Sequence, residues 1–203
     1  MVRVSARRVG ILGGAFDPPH LAHQTLLHAA CEQLQLDEMR VVPTGQAWHK
    51  SRPLTPAADR LAMTQLAFGS LPKVVVDSRE MARGGPSYTI DTLNELANEM
   101  PGALMFLIIG ADQARALPTW RAWQEIVRIA IICVADRAHS TGADIEFDVN
   151  SANSAQFRHL NMPVTNLSAT DIRARISAHL NVSSLVCEPV ARYIADHDLY
   201  QTA

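Results

Sequence analysis

The chain alternates short, nearly continuous apolar runs with stretches of helical periodicity, and this rhythm limits its fold more than any other feature. The runs Val9–Leu12, Met39–Val42, Lys73–Val76, Leu104–Ile109 and Ile129–Val134 are short for helices and read as strands. The last two carry no charged residue, as expected of strands covered on both faces. Between the runs, Leu21–Leu34 sets Leu27, Ala30, Cys31 and Leu34 along one stripe. Thr55-Pro56 opens a second helix, with Thr55 as N-cap and Pro56 at the first helical position. Ser87–Met100 places Ile90, Leu93, Leu96 and Ala97 on one face, and Pro101-Gly102 stops it. Strand and helix in alternation imply right-handed crossovers and a parallel sheet, hence an α/β fold. Ligands of such sheets bind at the carboxyl ends of the strands, near the point where strand order reverses.

The remaining sequence is read as part of the same unit. Residues 138–161 are less regular and read as a surface excursion with one short strand at most. Two helical segments follow, Thr170–Leu180 and Pro189–Ile194. We read residues 1–203 as a single domain in which 166–203 is a small C-terminal helical part, since no clear linker precedes it. A chain of this length buries about 70% of its unfolded surface and needs no covalent staple. Lys and Arg total 18 against 20 Asp and Glu, a net charge of −2, which disfavours a strongly basic nucleic-acid binder. Cys31, Cys133 and Cys187 are scattered and odd in number, as in a reduced, cytoplasmic protein. No run approaches the roughly 18 apolar residues of a membrane span. No feature specifies an oligomeric state.

Function is sought first after the first strand, at Gly13-Gly14-Ala15-Phe16-Asp17-Pro18-Pro19-His20-Leu21-Ala22-His23. Two glycines there let the backbone bend and approach a ligand with no side chain between. The helix that follows offers N–H groups and a positive dipole end to a phosphate. His20 and His23, three apart on its first turn, reach the same anion. Neither the G-x-G-x-x-G nor the G-x-x-x-x-G-K-[ST] spacing is present. Two alternatives stay open on the local pattern: a tight turn with surface histidines, or a metal pair assisted by Asp17. No third convincing metal ligand follows at helical spacing.

This segment resembles the GGTFDPxHxGH signature of the nucleotidylyltransferase superfamily, and most of all its bacterial nicotinate mononucleotide adenylyltransferases. Ala15 stands for the usual Thr and Ala22 for the usual Gly. The resemblance runs through nearly the whole chain. Trp48-His49-Lys50 is similar to the family's His-Arg pair, with Lys50 for Arg. Segments 85–93, 108–112, 117–120 and 166–173 resemble its PSYT-xx-TL, IIG-x-D, FPTW and ISAT-x-IR motifs. It implies a Rossmann-like doubly wound parallel sheet with helices on both faces. It also implies transfer of AMP from ATP to nicotinate mononucleotide, giving deamido-NAD and pyrophosphate, with Mg²⁺ accompanying ATP and no dedicated protein metal site. The alternatives are a related nucleotidylyltransferase with another phosphate acceptor, such as phosphopantetheine, and a non-catalytic nucleotide-binding regulator. Nucleic acid and membrane partners are not expected.

The resemblance assigns roles residue by residue. His20, His23, Lys50 and Arg173 are the expected catalytic residues. Gly13, Gly14, Ala15, Phe16, His49, Ser168 and Thr170 are expected around the ATP phosphates, and Gly110 and Asp112 at a ribose. Trp120 is expected to stack on the nicotinate ring, with backbone N–H groups near Thr89 and Arg121 receiving its carboxylate. The family often carries Tyr where Arg121 stands. Read alone, several of these residues have plainer uses. Asp112 suits a helix N-cap, Trp120 and Trp123, three apart, suit packing on one face of a helix, and Arg173 and Arg175 suit a capped, solvated helix.

Overall fold

A computed structural model describes residues 5–46, 53–137, 156–163 and 166–201. Its strands are β1 (Arg8–Gly14), β2 (Glu38–Pro43), β3 (Val74–Val76), β4 (Leu104–Gly110), β5 (Ala130–Arg137) and β6 (Phe157–Met162). They form one sheet in the order β3-β2-β1-β4-β5-β6, and every pairing is parallel. This is the dinucleotide-fold order, with its reversal between β1 and β4. The helices are α1 (Leu21–Gln33), α2 (Ala57–Phe68), α3 (Arg79–Ala82), α4 (Thr89–Glu99), α5 (Ala111–Ala116), α6 (Trp123–Ile129), α7 (Ala169–Ser177) and α8 (Glu188–Asp196), with a 3-10 turn at Leu117–Thr119.

Alternation along the central strands divides the core in two. On one face Leu12, Met39, Val41, Phe106, Ile108 and Cys133 pack with Leu27, Ala30 and Leu34 of the α1 segment and Met63, Ala67 and Phe68 of α2. On the other face Val9, Ile11, Met105, Leu107, Ile109 and Val134 pack with Ile90, Leu93 and Leu96 of α4 and Ile126 and Val127 of α6. The period of two within Met105–Ile109 is thus resolved although both faces are apolar. Ile172, Val186, Val190 and Ile194 of the C-terminal part join the first face.

Several boundaries differ from the sequence expectation. β6 supplies the short strand allowed for in the otherwise irregular stretch 138–161 and overruns it by Met162, whereas 138–155 lie outside the described residues; an edge strand with Leu160 as its one buried residue leaves too little apolar pattern to place it. Ile129 ends α6 and does not begin β5, since helix and strand abut inside one apolar run. The helix expected to start at Pro56 has Pro56 as its N-cap. Thr55, expected as that cap, instead gives its N–H to Asp17 Oδ2 at 3.4 Å, and its carbonyl accepts from Arg60 Nε at 2.9 Å.

Phe106 sits at the middle of the sheet with no exposed surface, and the Arg8 guanidinium lies 4.6 Å from its ring centre. Phe106→Ala should lower the unfolding free energy by about 3–5 kcal/mol, as read from a urea titration of the full chain.

Candidate active site

Strand β1 continues through both glycines of the first motif. Gly13 pairs with Val42 and Gly14 with Pro43, so the sharp bend expected at the glycines falls later. It is made at Phe16, whose φ of 47° lies in the left-handed region. A Cβ on Gly13 would meet nothing within 4 Å, whereas one on Gly14 would press on the Phe16 ring at 3.0 Å. Gly13 therefore presents bare backbone to open space. Phe16 is buried, edge-on to His23 at 5.1 Å and to Phe68 at 5.7 Å.

The expected histidine pair is formed. His20 is the N-cap of α1, and its backbone N–H donates to His23 Nδ1 at 3.2 Å. That bond places the proton of a neutral His23 on Nε2. The two rings stack with centroids 3.7 Å apart. Nδ1 of His23 is thereby engaged, and no cluster of three or more metal-ligating side chains exists among the described residues. Asp17 is 2% exposed, and its carboxylate accepts from the Tyr200 hydroxyl at 2.7 Å and from the Thr55 N–H at 3.4 Å.

Arg173 arrives from the other end of the chain. Its Nη1 donates to the Asp17 carbonyl at 2.7 Å and its Nη2 to Thr170 Oγ1 at 3.1 Å. Ser168 is the N-cap of α7, its Oγ accepting from the Asp171 N–H at 3.1 Å. Ser168, Thr170 and Arg173 thus gather beside the first loop. His49 and Lys50 lie outside the described residues.

Beside Gly13 and Gly14 opens a cavity of about 460 Å³. It is bounded by the carboxyl ends of β1 and β4, by Thr44, Glu80, Ser87, Tyr88, Thr89 and Thr92, and by Gly110, Trp120 and Arg121. Its place is the reversal point of the sheet. Thr89 is the first residue of α4, whose leading N–H groups have no intrahelical acceptor. Trp120 is half-buried on the cavity wall. It follows the 3-10 turn, while Trp123 begins α6, so the two do not share a helix face as expected. The Arg121 guanidinium lies over the Tyr88 ring at 4.7 Å. Asp112 is 90% exposed and pairs with Arg115. It is not the cap of α5, a position held by Gly110. His20, His23 and Arg173 are not among the residues that line this cavity, so the site comprises two separate groups of residues.

Sequence reasoning missed Arg60. It is 2% exposed and donates to the carbonyls of Ala15 (3.0 Å), Thr44 (2.7 Å), Gly45 (3.1 Å) and Thr55 (2.9 Å). The signal was present: Arg60, Met63, Thr64 and Ala67 recur at helical spacing on the buried side of α2. Gly45 was also missed. A Cβ there would stand 2.1 Å from the Glu80 carbonyl oxygen, so the β2 loop closes on α3 only with glycine.

The cytidylyltransferase-like family pattern matches residues 11–175. A probable nicotinate-nucleotide adenylyltransferase of Albidiferax ferrireducens is 63% identical over 97% of this chain and 100% of its own length. The chain belongs to the nicotinate-nucleotide adenylyltransferase family. Another adenylyltransferase so described, from Methylibium petroleiphilum, is 41% identical over 96% of this chain and 92% of its own. Among solved structures, the nicotinic acid mononucleotide adenylyltransferase of Plasmodium falciparum complexed with NaAD superposes with a TM-score of 0.74. It shares 17% identity over 96% of this chain and 97% of its own, a likeness of fold. The Rossmann-like adenylyltransferase fold therefore holds here.

Glu80 on the cavity wall is buried, and burial pushes its carboxyl above the ordinary range, against the opposing hydrogen bond from Thr92 and the charge of Arg83. The folded chain then keeps this proton to higher pH than the unfolded chain does. Its stabilising contribution is full below the unfolded pKa and is lost as pH rises through the folded one. Glu80→Gln cannot lose that proton. Its stability relative to the parent chain should rise as pH climbs from the unfolded pKa through the raised folded one, measured by denaturant titration at each pH.

Proposed function

We propose that this chain transfers AMP from ATP to nicotinate mononucleotide, forming deamido-NAD and releasing pyrophosphate. A phosphate oxygen of the acceptor attacks the α-phosphorus of ATP. The bond from that phosphorus to the bridging oxygen breaks, and the electron pair leaves with pyrophosphate. The attacking oxygen is already anionic at neutral pH, so the protein needs no activating base. Its work is alignment and stabilisation of charge. The observation that carries the reading is the meeting of Arg173 with the first loop, 2.7 Å from the Asp17 carbonyl, beside a cavity walled by Trp120 and Thr89.

In this reading His23, through Nε2–H, and His20 contact phosphate oxygens, and Arg173 holds the triphosphate with its planar fork. Gly13, Gly14 and Ala15 let the nucleotide approach the backbone, while Ser168 and Thr170 border the phosphates. Lys50 and His49 complete the charge on the family pattern, as Gly110 and Asp112 complete a ribose contact. Magnesium enters with ATP as part of the substrate, ligated by phosphate oxygens and water. No described helix is long and apolar enough to cross a membrane. The three unpaired thiols fit a reducing compartment, so we place the enzyme in the cytoplasm.

His23→Ala should reduce turnover by roughly 10²–10³ with little change in ATP binding, because a contact that strengthens in the transition state is lost. Near-normal turnover of the folded variant would return His23 to a packing role.

The acceptor end decides between relatives. N–H donors near Thr89 and Arg121, with the Arg121 charge close by, suit a ring carboxylate and oppose the NH₂ of an amide. Such a mismatch costs about 1–3 kcal/mol, a preference of roughly 5- to 150-fold for the acid. The test incubates the protein with Mg-ATP and either nicotinate or nicotinamide mononucleotide, with phosphopantetheine as a third acceptor, and measures pyrophosphate and the adenylylated product. Trp120→Ala should weaken acceptor binding and leave ATP binding nearly intact. Preference for phosphopantetheine would overturn the assignment.

A further inference from the structure

The last residues of the described chain return to the first loop. The Tyr200 hydroxyl donates to Asp17 Oδ1 at 2.7 Å, and the Tyr200 carbonyl accepts from Ser177 Oγ at 2.9 Å. Ser177 stands one turn after Arg173 on α7, and Arg173 donates to the carbonyl of that same Asp17. The bonds close a ring: α7 to Asp17 through Arg173, Asp17 to Tyr200, and Tyr200 back to α7 through Ser177.

Two further observations show that Tyr200 is held in place. Its φ is 64° and that of Asp198 is 50°, left-handed values that a side-chain-bearing residue keeps only when its surroundings impose them. Tyr193 on α8 anchors the approach by donating to Asp59 Oδ1 of α2 at 2.9 Å, and Leu199 and Tyr200 pack against the first core face. Burial, and then the Asp17 carboxylate, push the Tyr200 phenol far above its ordinary range, so it remains a proton donor at any working pH.

We propose that Tyr200 is a positioning residue for nucleotide binding: it fixes Asp17 from the side-chain end, and Asp17 fixes the guanidinium of Arg173 from the main-chain end. Tyr200 itself touches no substrate. The proposal rests on the adenylyl-transfer reading, because it treats Arg173 as the arm that takes the triphosphate. Arg173 spends one N–H on the Asp17 carbonyl and another on Thr170 Oγ1; Thr170 belongs to α7 itself, so the Asp17 bond ties the fork to the first loop. If the loop shifts, the fork turns with it, and a misplaced charge-assisted bond loses most of its strength.

The test is a double-mutant cycle on the full chain, with Tyr200→Phe and Arg173→Ala alone and together. Tyr200→Phe should raise the KM for Mg-ATP by about five- to tenfold and leave the KM for the mononucleotide unchanged. In the Arg173→Ala background the same change should have an effect of less than about twofold, since its route is already removed. Full additivity, or equal effects on both substrates, would reduce Tyr200 to general packing and overturn the proposal. An unchanged KM for ATP in Tyr200→Phe would do the same.

Thermal unfolding of each variant is measured alongside. If Tyr200→Phe is unfolded at the assay temperature, Ser177→Ala takes its place in the cycle, since it loosens only the carbonyl end of Tyr200. Its smaller shift in the KM for ATP should also vanish in the Arg173→Ala background, and persistence of that shift would refute the ring. The parent chain is the control for the underlying reading. No dinucleotide from the parent chain defeats both ideas, whereas normal parent activity with additive variants defeats the positioning role alone.

Discussion

The site depends on one buried cation. The guanidinium of Arg60 gathers carbonyl oxygens from the first loop, the end of β2 and the approach to α2. Loops leaving neighbouring strands have no ladder to hold them at a fixed distance, and each carbonyl needs a donor when water is excluded. Arginine supplies five donors in a rigid plane, so one side chain satisfies several such groups and fixes their spacing together. Leaving a carbonyl unsatisfied costs about 1–3 kcal/mol, so the loops remain gathered as long as α2 is docked. A positive charge beneath this loop also adds its field to that of the α1 N-terminus.

Around this anchor the site divides by chemistry. Beside Gly13 and Gly14 lies a cavity walled by a tryptophan and a helix start, suited to a flat acid. Two stacked imidazoles and an arginine from α7, suited to anions, stand apart from its lining. The proposed reaction needs the acceptor phosphate and the α-phosphate side by side, with both molecules' remaining bulk held apart, and two separate groups of residues suit that need. Arg121, laid over Tyr88, adds a positive charge to the cavity lining.

Much of this was legible in the residues. Strands β1, β2, β3 and β4 came out of short apolar runs, since a buried parallel strand tolerates little polarity. The stacked histidines, the Ser168 cap and the cavity-lining Thr89, Trp120 and Arg121 came from motif segments, in which spacing and residue type act locally. What stayed hidden was long-range. Tyr200 and Asp17 are far apart in sequence and meet only because α7 and α8 fold back over the first loop, and no local pattern announces that contact. Arg60 was hidden differently: its position on the buried stripe was readable, but a charged residue there is ordinarily read as exposed. A short strand was allowed for in the stretch that holds β6 but was not placed, because a one-sided edge strand needs few apolar residues. Trp120 and Trp123 were put on one helix because their spacing suits one, whereas a 3-10 turn and the left-handed Ala122 separate them.

Gly10 and Gly13 lie on the same strand, and the space around them differs. A Cβ on Gly10 would stand 2.5 Å from a Leu36 methyl and 2.9 Å from the end of Met39. Both are the outer ends of flexible side chains, so a methyl group there would ask Leu36 and Met39 to repack and would not bar the fold. Nothing stands near the corresponding position on Gly13. A methyl group there would disturb no neighbour within 4 Å, so the protein's own packing does not demand glycine at that point. Alanine at the two positions would therefore probe different things: at Gly10 the cost of repacking the interior, and at Gly13 only what approaches the strand from outside it.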